Sequence, residues 1–148
     1  MAPITSFSHV YLPVRDVDES IAFYIEKLGF KLLRKYRTSE SGAGSAYVEL
    51  GDVLLELTQA RQPIRPSDDG TEHRIGLTVT DMDAVMKDLT SKGVEVVRGP
   101  WDALTFWGRQ ARIKDPSGYG VSLREWEAPD SPRFDGWQPR HKGGARLA

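Results

Sequence analysis

Glu56 is the residue that most needs explaining. It interrupts an apolar run, Val53-Leu54-Leu55-Glu56-Leu57, and a carboxylate in such a run is costly to bury unless it is paired. The position therefore reads as part of a pocket and not as surface. Partial desolvation would raise its pKa and fit it to act as a general base, whereas an arginine partner would oppose that shift. A second chemical signal is the segment Gly99-Pro100-Trp101-Asp102-Ala103-Leu104-Thr105-Phe106-Trp107-Gly108-Arg109. Trp101, Phe106 and Trp107 are too apolar for a plain solvent loop. Two readings stay open for them: a cap that stacks on a flat ligand, or packing at a dimer interface. Tyr11 and Tyr47 are further aromatic candidates, although strand aromatics more often pack a sheet face. The chain has no cysteine, which excludes disulfides, zinc–thiolate sites and a thiol nucleophile.

The elements that must position these residues come in two copies. In His9-Val10-Tyr11-Leu12-Pro13-Val14 the apolar Val10, Leu12 and Val14 alternate with His9, Tyr11 and Pro13, as in a strand with two unlike faces. Asp16 fits a helix N-cap, with Glu19 completing a capping-box pattern. Val17, Ile21, Tyr24, Ile25 and Leu28 mark a helical face that Gly29 closes. Strand-like runs follow at Phe30–Tyr36, Ser45–Leu50 and Val53–Thr58, the last two joined through Gly51-Asp52 as a tight hairpin. From Arg74 the pattern repeats. Ile75, Leu77 and Val79 form an apolar face, Asp81 caps a helix carrying Met82, Val85, Met86 and Leu89, and Lys92-Gly93 ends it. Further strand-like runs are Val94–Val97, Arg109–Lys114 and Tyr119–Trp126. Offsets of 65, 64 and 66 separate Asp16 from Asp81, Gly29 from Gly93, and Leu57 from Leu123. Such constancy marks an internal duplication.

One helix on one sheet covers a single face, so two such units gain by sharing a sheet. The expected fold is α+β, two tandem βαβββ units forming a curved mixed sheet around a cleft. Unit one spans about 5–60 and unit two about 72–127, within a single domain over 1–128. Each helix should cover the apolar face, leaving His9 and Arg74 to line the concavity. Residues 129–148 are rich in Pro and Gly and read as an extended tail whose Phe134 and Trp137 dock, with His141 solvated.

Composition narrows the function classes. The 148 residues carry 20 Lys and Arg against 21 Asp and Glu, a formal net charge of −1, which gives no electrostatic footprint for nucleic acid. No apolar run approaches the roughly 20 residues of a membrane span, and no signal-peptide pattern opens the chain. The expected location is the cytoplasm.

Several stretches resemble the vicinal oxygen chelate superfamily, which includes glyoxalase I, bleomycin-resistance proteins and extradiol dioxygenases. They are His-Val-Tyr-Leu-Pro-Val-Arg-Asp (9–16), Ser-Ile-Ala-Phe-Tyr (20–24), Leu-Gly-Phe (28–30) and Leu-Glu-Leu-Thr (55–58). In the second half they are Ile-Gly-Leu-Thr-Val-Thr-Asp-Met-Asp-Ala (75–84) and Asp-Pro-Ser-Gly-Tyr (115–119). The resemblance implies metal ligands on the first and last strand of each unit, here His9, Glu56, Arg74 and Ser122. Arginine has no lone pair to donate and a serine hydroxyl is a weak ligand. His73 and Glu125 stand at odd spacings from Arg74 and Ser122, so they should face the other way unless a bulge intervenes.

The resemblance with these departures implies a site without metal or other cofactor, in which arginine has replaced the ion. Glu56 and Arg74 would pair, with His9 and Ser122 completing their hydrogen bonds and Arg124 facing the same cavity. Arg74 also fits an exposed residue at the start of a strand, and His9 a structural histidine. The expected ligand is a small organic molecule, anionic or carbonyl-rich and partly aromatic, bound by His9, Tyr11, Tyr47, Arg74, Trp101, Trp107, Ser122 and Arg124, with Glu56 the catalytic candidate. Its fate would be sequestration or a metal-independent proton shift. Two rivals stand beside this reading. One is a metal-dependent lyase or isomerase resembling glyoxalase I, using His9 and Glu56 with other ligands; the other is a non-catalytic structural dimer. A C2 homodimer is expected in any case, as the commonest closed assembly.

Overall fold

Asp16 and Asp81 set the frame of the fold. Both take extended backbone conformations, and each side chain accepts a backbone N–H of the first helical turn at 2.9 Å, Glu19 N and Ala84 N respectively. These bonds satisfy amide groups that the start of a helix otherwise leaves without partners. The computed structural model describes residues 3–39, 41–65 and 73–127. The tail expected over 129–148, with Phe134, Trp137 and His141, lies outside the described residues.

The chain divides into two compact units, Met1–Arg65 and Pro66–Ala148. In the first, β1 (Val10–Val14) leads into α1 (Val17–Ala22), which widens into a π-helical turn at Phe23–Lys27. Strands β2 (Lys31–Arg37), β3 (Gly44–Leu50) and β4 (Val53–Gln59) follow. The sheet order is β1-β4-β3-β2, with β1 parallel to β4 and the other pairs antiparallel. The second unit has β5 (Arg74–Val79), α2 (Met82–Ser91), β6 (Val96–Asp102), β7 (Gly108–Lys114) and β8 (Gly120–Trp126). Its order, β5-β8-β7-β6, repeats the first, again with one parallel pair. The fold is thus α+β, two tandem βαβββ units with mixed sheets.

Each helix covers the apolar face of its own sheet. In the first unit Val14, Ala46, Val48, Leu55 and Leu57 are fully buried, with Val17, Phe23 and Tyr24 supplied by the helical segment. In the second, Ala111, Ile113 and Val121 are fully buried, and α2 adds Met82, Met86 and Leu89. Burying an aliphatic side chain of the larger kind stabilises by about 1.5–3 kcal/mol. The fit is close at Gly44, where a Cβ would lie 2.9 Å from Val17 Cγ1. No helix among the described residues is long and apolar enough to cross a membrane.

Two elements differ from the expected ones. The first helix does not run evenly to Leu28. Leu28 N–H donates to the Phe23 carbonyl at 3.3 Å, a wide turn that rotates the buried face. Phe23 and Tyr24 are consequently both buried, with edge-on rings 5.3 Å apart, while Ile21, Ile25 and Leu28 are half-buried. A uniform helical period cannot foresee such an insertion. The strand expected at Val94–Val97 instead runs from Val96 to Asp102, so Trp101 belongs to a strand. Register shifts between Val96 and Arg98 and between Arg98 and Trp101 carry it past Gly99-Pro100, which reads in sequence as a strand breaker.

Candidate functional site

In a sheet, laterally paired residues share a face, so the registers sort the side chains. On the first sheet, Tyr11, Glu56, Tyr47 and Arg34 form one lateral row facing away from α1, and Pro13, Thr58, Ser45 and Tyr36 form the next. Ser45 and Thr58 are buried there and join hydroxyls at 2.8 Å.

Glu56 is engaged through both carboxylate oxygens. Its Oε2 lies 3.0 Å from His9 Nε2, and its Oε1 accepts the Tyr36 O–H at 2.8 Å. His9 Nδ1 is 2.8 Å from the Ser8 hydroxyl. With Nε2–H donating to the carboxylate, Nδ1 becomes the acceptor that Ser8 fills. The imidazole meets Tyr47 edge-on at 6.0 Å, and Tyr47 stacks on Tyr36 at 5.8 Å. The carboxylate side chain is 18% exposed and the imidazole 33%. Burial first, then the hydrogen bond to Glu56, holds the Tyr36 phenol neutral well above the ordinary tyrosine range. Tyr36 had no signal in the sequence. The register shift between Leu32 and Arg34 changes which β2 residues share a face, and period-two counting cannot see it.

Beside this group lies a concavity of about 840 Å³ bounded by Tyr11, Pro13, Tyr36, Glu56, Thr58 and Arg61. His9 and Tyr47 stand outside its lining. The arrangement presents a hydrogen-bonded carboxylate and a phenol to a volume that suits a small organic molecule.

On the second sheet, Arg74, Ser122 and Arg124 share the face turned away from α2, as their registers with Gly120, Gly76 and Thr78 require. Ser122 is 9% exposed. Arg124 lies with its guanidinium carbon 4.9 Å from the Phe106 ring centre and 6.0 Å from that of Trp126. Burial, then the charge of Arg74, lowers its proton affinity. Glu125 occupies the opposite face. His73 is exposed and edge-on to Tyr119 at 6.2 Å, and Glu125 lies 3.8 Å from Arg109, which also donates to Asp83 of α2 at 2.9 Å.

The aromatic segment divides three ways. Phe106 is 1% exposed, packed with Ala103 and Trp126 at a ring separation of 4.6 Å. Trp101 carries the Arg98 guanidinium at 4.3 Å. Trp107 is the most exposed of the three, at 39%. Among the described residues no group of three or more His, Asp or Glu side chains is placed to hold a metal ion.

Comparison with known proteins gives a consistent set of likenesses. Residues 6–123 match the model of the Glyoxalase/Bleomycin resistance protein/Dioxygenase superfamily. Lactoylglutathione lyase GLX1 of Arabidopsis thaliana is 31% identical over 122 residues, 79% of this chain but 43% of the plant protein. The chain thus spans less than half the length of that relative. A probable lactoylglutathione lyase of Vibrio cholerae is 31% identical, covering 78% of this chain and 86% of that one. Among solved structures, a glyoxalase family protein from Enterococcus faecalis superposes with a TM-score of 0.70 at 26% identity, over 81% of this chain and 97% of that one. TnmS3, an antibiotic binding protein from Streptomyces sp. CB03234, gives 0.64 at 30% identity, over 84% and 100%.

Proposed function

The chain belongs to the glyoxalase/bleomycin resistance protein/dioxygenase superfamily, and on that premise we propose that it binds a small organic molecule without the help of a divalent metal ion. The observation that carries this reading is Arg74. It stands at one of the four positions where metal-using relatives are expected to place ligands, and a guanidinium repels a cation where a ligand would attract one. Ser122, at the matching position of β8, is a neutral and weak donor. The remaining pair, His9 and Glu56, hydrogen-bond to each other at 3.0 Å. The donor set does not fit a divalent ion.

In this proposal the concavity beside Glu56 receives the ligand, Tyr11 and Tyr36 give it apolar contact, and Glu56 supplies the acceptor. For a ligand with an acidic C–H next to a carbonyl, Glu56 is the group that takes the proton and returns it to a neighbouring carbon. Tyr36 and His9 hold the carboxylate in place. Sequestration alone is equally within reach of such a site, and the likeness to an antibiotic binding protein supports it.

The test is thermal stabilisation by a panel of small aromatic and carbonyl compounds in the presence of a chelator. A ligand that binds the folded state raises Tm in proportion to the logarithm of its concentration above Kd. We expect such shifts to persist with chelator and to shrink on Glu56→Ala. Shifts that appear only after nickel or zinc is added would contradict the proposal. They would favour the second reading, a metal-dependent lyase, which the names of the plant and Vibrio relatives support.

A further inference from the structure

We propose that the open face of the second sheet is an oxyanion site, centred on Arg74, Ser122 and Arg124, for the carboxylate or phosphonate head of a small organic ligand. It rests on the metal-free reading above, because an ion at these positions would exclude the arginines.

Charge is segregated between the two faces of this sheet. The registers place Arg74, Arg98, Arg112, Lys114 and Arg124 on the face turned away from α2. The only acidic residues of these four strands, Asp102 and Glu125, pair with Arg109 on the other face. Lys114 has a counter-charge in Glu95 at 3.8 Å. Neither Arg74 nor Arg124 has a carboxylate partner in its unit among the described residues. Like charges gathered on one face repel, and a bound anion removes that repulsion.

The geometry around Arg124 also favours an anion. Phe106 and Trp126 fix the Arg124 guanidinium from one side, and its Nε is buried without a hydrogen-bond partner. A buried N–H with no acceptor is costly, and an incoming oxygen relieves that cost. Ser122 lies one step from Arg124 along this face, opposite Gly76. At Gly76 a Cβ would meet nothing within 4 Å, so the space over this part of the sheet is open. Two guanidinium groups and a hydroxyl around an open floor suit an oxyanion, which guanidinium recognises through paired N–H donors.

The experiment is calorimetric titration of chelator-treated protein with benzoate, phenylphosphonate and the neutral benzamide. At least one of the two anions should bind, benzamide about tenfold or more weakly than that anion, and the tighter anion identifies the head group. Arg74→Met and Arg124→Met should each weaken it about tenfold or more. Lys87→Met, which removes an exposed cation from α2, should leave affinity unchanged. If Arg124→Met fails to fold, the exposed Arg74 still decides. Equal binding of benzamide, no binding of either anion, or equal loss in Lys87→Met would overturn the site. Anion binding that requires added zinc would overturn the metal-free reading as well; binding in chelator that ignores Arg74→Met would overturn this inference alone.

Discussion

At the scale of the residue, the fate of Glu56 depends on what its two oxygens hold. Tyr36 donates to one of them at 2.8 Å, so Tyr36→Phe leaves a half-buried carboxylate oxygen short of a donor. We expect a loss of about 1–3 kcal/mol in urea unfolding near neutral pH. The pH dependence has a definite sign. The Tyr36 phenol is raised above the unfolded value of about 10. Below that pH both states keep the proton, and the Tyr36 contribution is fully present. As pH rises beyond it, the unfolded state releases its proton first and the contribution is lost. The native protein should therefore lose more stability than Tyr36→Phe between about pH 9 and pH 11; parallel losses would show that the phenol is not held this way. Of this cluster, Glu56 was legible in sequence from its apolar neighbours, whereas Tyr36 was hidden by the bulge in β2.

At the scale of the element, the duplication makes a comparison possible within one chain. Asp16 and Asp81 cap their helices with the same bond at the same length. Each replaced by Ala should cost about 1 kcal/mol, and the two losses should agree within a few tenths. Urea unfolding of both variants measures this, and a silent Asp81→Ala would show that its cap contributes nothing. Gly108 is a harsher case. Its φ is +151° and a Cβ there would lie 2.0 Å from the Glu125 carbonyl oxygen, so Gly108→Ala should cost about 2 kcal/mol or more in the same assay. The caps, the helix starts and the succession of elements in the repeat follow from period and spacing. The wide turn at Phe23–Lys27 and the continuation of β6 through Gly99-Pro100 do not. Both depend on local irregularities that long-range packing favours over intrinsic preference.

At the scale of the whole molecule, a formal net charge of −1 conceals the basic face of the second sheet, because net charge sums over faces that the fold separates. Arg74 and Arg124 could be assigned to one face from the alternation of their strands once the family resemblance placed Ser122 beside Arg74. That Arg98 and Arg112 join them depends on the β6–β7 register, with its two shifts. The burial of Phe106 was likewise out of reach, since a loop folding back onto Trp126 leaves no periodic trace. The proposal that Arg74 stands where metal-using relatives place a ligand is tested most directly by metal analysis. Tag-free protein should be assayed by elemental mass spectrometry as purified and after incubation with nickel, zinc, manganese and iron followed by desalting. We expect far less than one metal per chain in every case. Near-stoichiometric metal, lost on Glu56→Ala, would contradict that claim and identify Glu56 as a ligand.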